Sequence, residues 1–182
     1  MPLLNAIATP YAEALLQVAE SRQETDTVAQ QARDLLAIWN DNPDLRHAMT
    51  SPVLEPEAKK AAISRLFQDQ ITPSFQNLLK LLADRQRIGV LDVVLIRFLE
   101  LYRELRNIAL ARVTSAAPLD DDQQARLTEK VKAMAGTDKV EVDMTVDPSL
   151  IGGFIVSLGS RVVDASLSGQ VRRLGLALAK VS

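Results

Sequence analysis

The sequence contains no cysteine. A disulfide framework and a thiolate metal site are therefore both excluded, and the composition fits a reducing compartment. Its single histidine, His47, stands beside Arg46 with no serine, cysteine or carboxylate constellation around it. It reads as a surface residue, and no triad with histidine or cysteine can be assembled. Aromatic residues make up only 4% of the chain against 47% hydrophobic residues, so the core must be aliphatic. No lysine or arginine tract occurs, and the net charge is −2. A duplex-binding protein would show a basic face, so nucleic acid is not an expected partner. Long hydrophobic runs are also missing. Charges break every apolar segment well short of the ~20 residues of a membrane span. The opening "MPLLNAIATPYAEA" has neither a basic leader nor an extended apolar stretch, and reads as neither signal nor transit peptide. The expectation is a soluble protein that meets a membrane only through a partner.

Glycines are few, but four fall between Asp147 and Leu174, in "DPSLIGGFIVSLGSRVVDASLSGQVRRL". Density of this kind raises the question of a phosphate cradle, and the spacing answers it. A P-loop requires G-x-x-x-x-G-K-[ST], and no Gly-Lys-Ser or Gly-Lys-Thr occurs. A dinucleotide fingerprint requires G-x-G-x-x-G leading into a helix, whereas the doublet Gly152-Gly153 leads into the β-rich "FIVSL". The glycines read as structural. Gly152-Gly153 turns the chain into a strand, and Gly159-Ser160 turns it into a second strand, "RVVDA", closing a hairpin. No cofactor is expected.

What is present is helical periodicity, punctuated by proline, as far as residue 106. "ATP", "DNP", "LEP" and "ITP" each precede an amphipathic run. Proline at the first helical position costs nothing, because its missing N–H has no intrahelical partner there. Thr9, Asn42 and Thr72 are suitable N-caps. The spacing predicts six helices, over 10–22, 26–40, 43–49, 56–67, 73–85 and 90–106. The second carries Trp39 on its apolar face, a core position. Short connections between amphipathic helices imply a bundle.

After residue 106 the period changes. "IALARVTSA" (108–116) and "KVEVDMTV" (139–146) alternate as strands, the latter with Val140, Val142, Met144 and Val146 on one face. Between them, 118–136 reads as a helix ending in a glycine. Asp120-Asp121-Asp122 at its start lacks the ligand rhythm of a calcium loop and reads as a capping box from Asp120 to Gln123. The hairpin and a last helix to about Lys180 complete the order β-α-β-β-β-α. Arg172, Arg173 and Lys180 read as a solvated face of that helix. The fold class is mainly α: an N-terminal six-helix bundle, 1–106, followed by a small α+β domain, 107–182.

The first and fifth helices each carry more apolar surface than one docking face needs. In the first, Ala8, Ala12, Leu15, Leu16 and Ala19 make one stripe, and Ile7, Tyr11, Ala14 and Val18 a second. In the fifth, Leu78, Leu79 and Leu82 suffice for the core, and Asn77 with Leu81 lies on an adjacent stripe. The second stripes suit either burial within the bundle or a groove for another helix. The pattern alone leans to burial.

Two segments together resemble one family. "PYAEALLQVA" is similar to the opening helix of the delta subunit of F-type ATP synthases, the oligomycin-sensitivity-conferring protein of mitochondria. The stretch from Asp147 to Leu174 resembles the family's C-terminal signature, with Asp147, Leu150, Gly152, Gly153, Gly159, Asp164, Ser166 and Leu174 in place. The resemblance covers the whole chain. One departure is Thr9, where many members carry arginine. "PYAEAL" and the absence of a presequence lean towards a cyanobacterial or chloroplast-like member.

The resemblance implies a non-catalytic stator connector. In the family the helical domain binds the N-terminal helix of an alpha subunit on the catalytic head, in a groove between the first and fifth helices. Carried over by position, this nominates Tyr11, Ala14, Asn77 and Leu81. Helical spacing adds Leu15, Val18 and Leu78. The second domain, including Gly152, Gly153 and Gly159 as its structural turns, would bind the peripheral-stalk b subunits. The implied location is peripheral, on the cytoplasmic or stromal face of an energy-transducing membrane such as the thylakoid. Two other readings are a general helical adaptor unrelated to the synthase, and an enzyme using Asp143, Asp147 and Asp164. Nothing in the sequence makes those carboxylates converge.

Overall fold

The computed structural model describes residues 2–68 and 70–179, with side chains described for 4–68 and 70–173. Among them the chain is mostly helical, with one small four-stranded sheet. Six helices come first: α1 (Pro2–Ser21), α2 (Thr25–Asp41), α3 (Pro43–Thr50), α4 (Pro56–Phe67), α5 (Pro73–Asp84) and α6 (Leu91–Arg106). They are followed by β1 (Ala109–Ser115), α7 (Asp121–Ala135), β2 (Val140–Val146), β3 (Phe154–Leu158), β4 (Arg161–Asp164) and α8 (Leu167–Ala179). The chain divides into two compact units, Met1–Leu105 and Arg106–Ser182.

In the first unit, α1 packs against α2 and α5. Its inward stripe is small: Ala8, Ala12, Leu15 and Ala19 are buried, and Leu16 is half-buried. Alanines at this spacing let helix backbones approach closely, and the larger side chains come from the partners. Phe75, Leu79 and Leu82 of α5 and Leu91, Val94, Leu95 and Phe98 of α6 are all buried. Trp39 is buried as its position on the apolar face of α2 predicts, and His47 is exposed.

The prolines hold one correction. Pro10 does not start α1 but sits inside it, and the helix begins at Pro2. An interior proline deletes its bond to the carbonyl four residues back, that of Ala6. Ala6 and Pro10 are both exposed, so water can replace that bond, and the Thr9 hydroxyl donates to the Asn5 carbonyl at 2.8 Å instead of capping. Asn42 and Thr72 do stand at N-cap positions, but neither side chain caps its own helix. The Asn42 amide donates to the Ile38 carbonyl at the end of α2, 2.9 Å away. The Thr72 hydroxyl and backbone N–H both donate to the Gln31 amide oxygen, at 3.0 and 3.1 Å.

In the second unit the sheet order is β2-β1-β3-β4. β1 and β2 are parallel, so α7 is the crossover between them, while β3 is antiparallel to both β1 and β4. Leu127 and Val131 of α7 pack on Ala111, Val113 and Val156, and the cluster reaches Val140 and Val142. Met144 and Val146 share that face of β2 yet remain exposed, beyond the reach of this core. α7 opens on the full capping box. The Asp120 carboxylate accepts from the Gln123 N–H at 2.7 Å, and the Gln123 side chain accepts from the Asp120 N–H at 3.2 Å. It ends on Gly136 in the left-handed conformation. Gly159-Ser160 is the two-residue turn between the paired Leu158 and Arg161. Lys180, where the last helix was expected to end, lies outside the described residues, and so does the side chain of Leu174.

Candidate functional site

α1 and α5 lie side by side, and the outward stripe of each faces a common cleft of ≈ 310 Å³. Tyr11, Ala14, Leu15 and Val18 line it from α1, and Asn77, Leu78 and Leu81 line it from α5. All seven residues nominated from the sequence therefore meet in one place. Their burial divides them into floor and rim. Leu15 and Leu78 are 4% and 6% exposed and close the bottom of the cleft. Val18 and Leu81 are 41% and 42% exposed and form its walls, with Ala14 and Asn77 also exposed. Burial of both stripes inside the helical unit, the reading the pattern leaned to, does not occur. The outer stripe keeps its apolar surface in the open.

Apart from the exposed Asn77, the polar groups sit at the ends. Arg87 donates from Nη1 to the Tyr11 hydroxyl at 3.1 Å. At the opposite end the sequence reading missed two lining residues, Arg22 and Ser74. Both follow from helical spacing, since Arg22 is four residues after Val18 and Ser74 three before Asn77. The Ser74 hydroxyl donates to the Glu24 carboxylate, which ties the start of α5 to the start of α2. The cleft therefore offers an apolar trough about as long as the Tyr11-to-Arg22 span, roughly 16 Å or three helical turns at 1.5 Å per residue. Nothing in it suits bond chemistry. It holds no carboxylate pair, and among the described residues no group of three or more His, Cys, Asp or Glu side chains could hold a metal ion.

The glycine-rich stretch is a backbone junction. The Gly152 carbonyl accepts from the Leu167 N–H, the first amide of α8, at 2.9 Å. The Gly153 carbonyl accepts from the Ala116 N–H at 3.1 Å, just past β1. Gly153 has φ +80°, and a Cβ there would run into the backbone of Ala165 and Ser166. Only glycine lets these two segments pass so closely. Next to them, the Asp164 carboxylate accepts from both the hydroxyl and the N–H of Ser166, at 2.5 and 2.9 Å. Ser166, fully buried, accepts in turn from the Gly169 N–H at 3.0 Å and so caps α8. The Ser166 hydrogen bonds hold the Asp164 carboxyl below its ordinary range, with smaller help from Arg173 and Arg172. Asp147 is lowered likewise by its bonds to Ser149, whose N–H it accepts at 2.9 Å. Asp143 is exposed on β2. Two of the three carboxylates considered for catalysis are thus held in backbone turns, and the third faces solvent.

The known proteins that this chain is similar to share one family. The profile of the family described as ATP synthase delta (OSCP) subunit matches residues 7–178. The chain is 70% identical over 182 residues to the ATP synthase subunit delta of Prochlorococcus marinus (strain MIT 9303), covering 100% of both chains. It is 67% identical over 182 residues to that of Synechococcus sp. (strain CC9311), and 65% identical over 181 residues to that of the organellar chromatophore of Paulinella chromatophora. Among solved structures, a chain of the Toxoplasma gondii mitochondrial ATP synthase hexamer shares the fold. Its TM-score is 0.77 at 20% identity, covering 94% of this chain and 97% of that one.

Proposed function

Because the chain belongs to the ATP synthase delta (OSCP) subunit family, we propose that it is the stator connector of an F-type ATP synthase. In this reading the α1–α5 cleft takes the N-terminal helix of an alpha subunit on the catalytic head, and the second unit, 107–182, holds the peripheral-stalk b subunits. Family membership makes the chain a structural, non-catalytic subunit of ATP synthase. It rules out the unrelated adaptor and the carboxylate enzyme.

The single observation that carries the reading is the cleft. Seven residues from two helices leave an apolar trough unfilled, with a buried leucine floor and exposed aliphatic walls. An amphipathic helix laid in such a trough buries its own apolar face, at roughly 25 cal/mol per Å² removed from water. Ordering of side chains and loss of rigid-body freedom offset much of this, so tight binding depends on fit rather than area.

The mechanical role follows from what the site lacks. Rotation of the central shaft applies torque to the catalytic head, and the head must not turn with it. A tether for that purpose needs lasting association and two separate docking units, and no cofactor or reactive group. Among the described residues no helix is long and apolar enough to cross a membrane. The connector would reach an energy-transducing membrane, at its cytoplasmic or stromal face, through its partners. Cyanobacterial relatives make the thylakoid one such membrane.

The test is calorimetry of the full chain with a synthetic peptide of the alpha-subunit N-terminal helix, with Ala14→Asp alongside. Ala14 is exposed in the cleft, so the variant keeps its helical circular dichroism. Saturable binding lost in the folded variant supports the reading. Equal binding by both proteins removes the cleft from it.

A further inference from the structure

The apolar stripe that α5 turns to the cleft is broken once, by Asn77. Leu78 and Leu81 flank it on α5, and Val18 lines the same trough from α1. A leucine at position 77 would complete the stripe, and leucine is the better helix former. Asn77 is exposed, and among the described residues its side chain makes no hydrogen bond. Its amide therefore holds nothing together within the chain.

Water can satisfy that amide while the trough is open. An occupant removes the water, and a buried amide left unpaired costs about tenfold or more in affinity. The amide has two donors and an acceptor, so a hydroxyl, amide or carboxylate on the occupant can answer it. An unbroken apolar ridge cannot. A lone asparagine in the apolar seam of paired helices acts in this way, fixing the register at some cost in stability.

Arg22 marks one end of the trough. Among the described lining residues it is the only charged one. It is exposed, and its guanidinium makes no hydrogen bond or ion pair among the described residues. The Glu24 carboxylate at the same end accepts from the Ser74 hydroxyl instead. Ser74 lies three residues before Asn77, about 4.5 Å along α5 at 1.5 Å per residue. Asn77 and Arg22 thus stand about one helical turn apart along the trough.

Resting on the stator reading above, we infer that Asn77 and Arg22 select the register of the helix that docks between α1 and α5. The apolar ridge of that helix is interrupted once, by a hydrogen-bonding side chain opposite Asn77. A carboxylate stands one turn further on, opposite Arg22. In the other direction the ridge stays apolar over Leu15 and Leu81. A helix slid by one turn lays an apolar side chain on Asn77 and loses the carboxylate from Arg22. Wrong registers are therefore rejected by a penalty, not only by a missing attraction.

The test uses the full chain and an isotope-labelled peptide of the alpha-subunit N-terminal helix. Ser21 is exposed beside Arg22 and the chain has no cysteine, so Ser21→Cys takes a single nitroxide that broadens the nearest peptide amide signals. Calorimetry at low and raised salt reads affinity. The variants are Asn77→Leu, Arg22→Gln and, as a control on exposed α4 surface outside the cleft, Arg65→Glu. Asn77 and Arg22 are exposed and uncommitted, so their variants keep the helical circular dichroism. The native groove is expected to broaden one short run of the peptide. Asn77→Leu still binds, but the broadening spreads by a helical turn or more. Arg22→Gln weakens binding about two- to fivefold and flattens its salt dependence, and Arg65→Glu does neither. A pattern as narrow in Asn77→Leu as in the native groove overturns the inference, while the retained binding leaves the stator reading standing. Loss of binding in Asn77→Leu overturns it too, because the amide then supplies affinity rather than register. A pattern already broad in the native groove does the same. Unchanged affinity and salt dependence in Arg22→Gln remove the charge from the account. If the native chain does not bind the peptide, the cleft reading fails and the inference with it.

Discussion

Replacing Gly153 by alanine tests the junction in the second unit. The residue has φ +80°, and the left-handed region costs an L residue about 1–2 kcal/mol. The new Cβ would also meet the Ala165 carbonyl, with the Ala165 carbonyl carbon and Ser166 Cα both at 3.1 Å. These are backbone atoms, so relief requires β3 and the start of α8 to separate. That movement stretches the Leu167-to-Gly152 and Ala116-to-Gly153 hydrogen bonds, now 2.9 and 3.1 Å. At ~1 kcal/mol per net hydrogen bond, losing one or two brings the total to about 3 kcal/mol. A domain has only about 5–15 kcal/mol of stability, so the loss is a large share. Gly159 is the internal control. Its φ is +56° but nothing lies within 4 Å of a Cβ, so Gly159→Ala bears only the conformational term, about 1 kcal/mol. Urea unfolding followed by far-ultraviolet circular dichroism reads both variants. Fluorescence of Trp39, the single tryptophan, reports the first unit separately. If Gly153→Ala costs no more than Gly159→Ala, the close-approach argument is wrong.

Three further outcomes follow from particular side chains. Leu78→Ala, at the buried floor of the α1–α5 cleft, should destabilise the chain by about 2–5 kcal/mol, whereas Leu81→Ala on the exposed wall should leave the melting curve nearly unchanged and weaken peptide binding. Asp120→Ala removes the N-cap of α7 and should cost about 1 kcal/mol in thermal unfolding, while Asp120→Asn should cost much less. The Asp164 carboxyl is held below its ordinary 3.8 by Ser166, so folding favours its ionised form. The stability this supplies is present above the unfolded value and is lost as pH falls below about 3.8 through the folded value. Asp164→Asn should flatten the acid limb of the stability profile, and an unchanged limb would show that other groups set it.

The sequence reveals most where one physical signal acts alone. The capping box at Asp120, the helix-ending Gly136 and the two-residue turn at Gly159-Ser160 are local features, and each stands where its residues predict. The second stripes on α1 and α5 were readable for a similar reason, while their nomination as a groove came from the family resemblance. A helix needs one apolar stripe to dock, so a second stripe on α1 and another on α5 is surplus. Whether that surplus was covered by the rest of the unit could not be read from spacing, because coverage depends on the path of other helices. The same limit hid the exposure of Met144 and Val146, whose alternation is as regular as that of Val140 and Val142. Pro10 misled because a proline in a helix is favoured at its first position. Here an exposed Ala6 carbonyl makes an interior proline tolerable, which is a fact of solvent access. The roles of Asn42 and Thr72 were hidden too, since their partners, Ile38 and Gln31, belong to a different helix.

The central claim is that the α1–α5 cleft holds the alpha subunit in the assembled synthase. The chain has no cysteine, so Val18→Cys places one thiol on the cleft wall, and Val53→Cys places one on exposed surface outside it. Each variant is loaded with a thiol-linked photocrosslinker and assembled into the synthase on its membrane, and the products are identified by mass spectrometry. The account predicts that position 18 crosslinks to the N-terminal region of an alpha subunit and that position 53 does not. Crosslinks from position 18 to another subunit in a fully assembled synthase, or to alpha from position 53 alone, would contradict it.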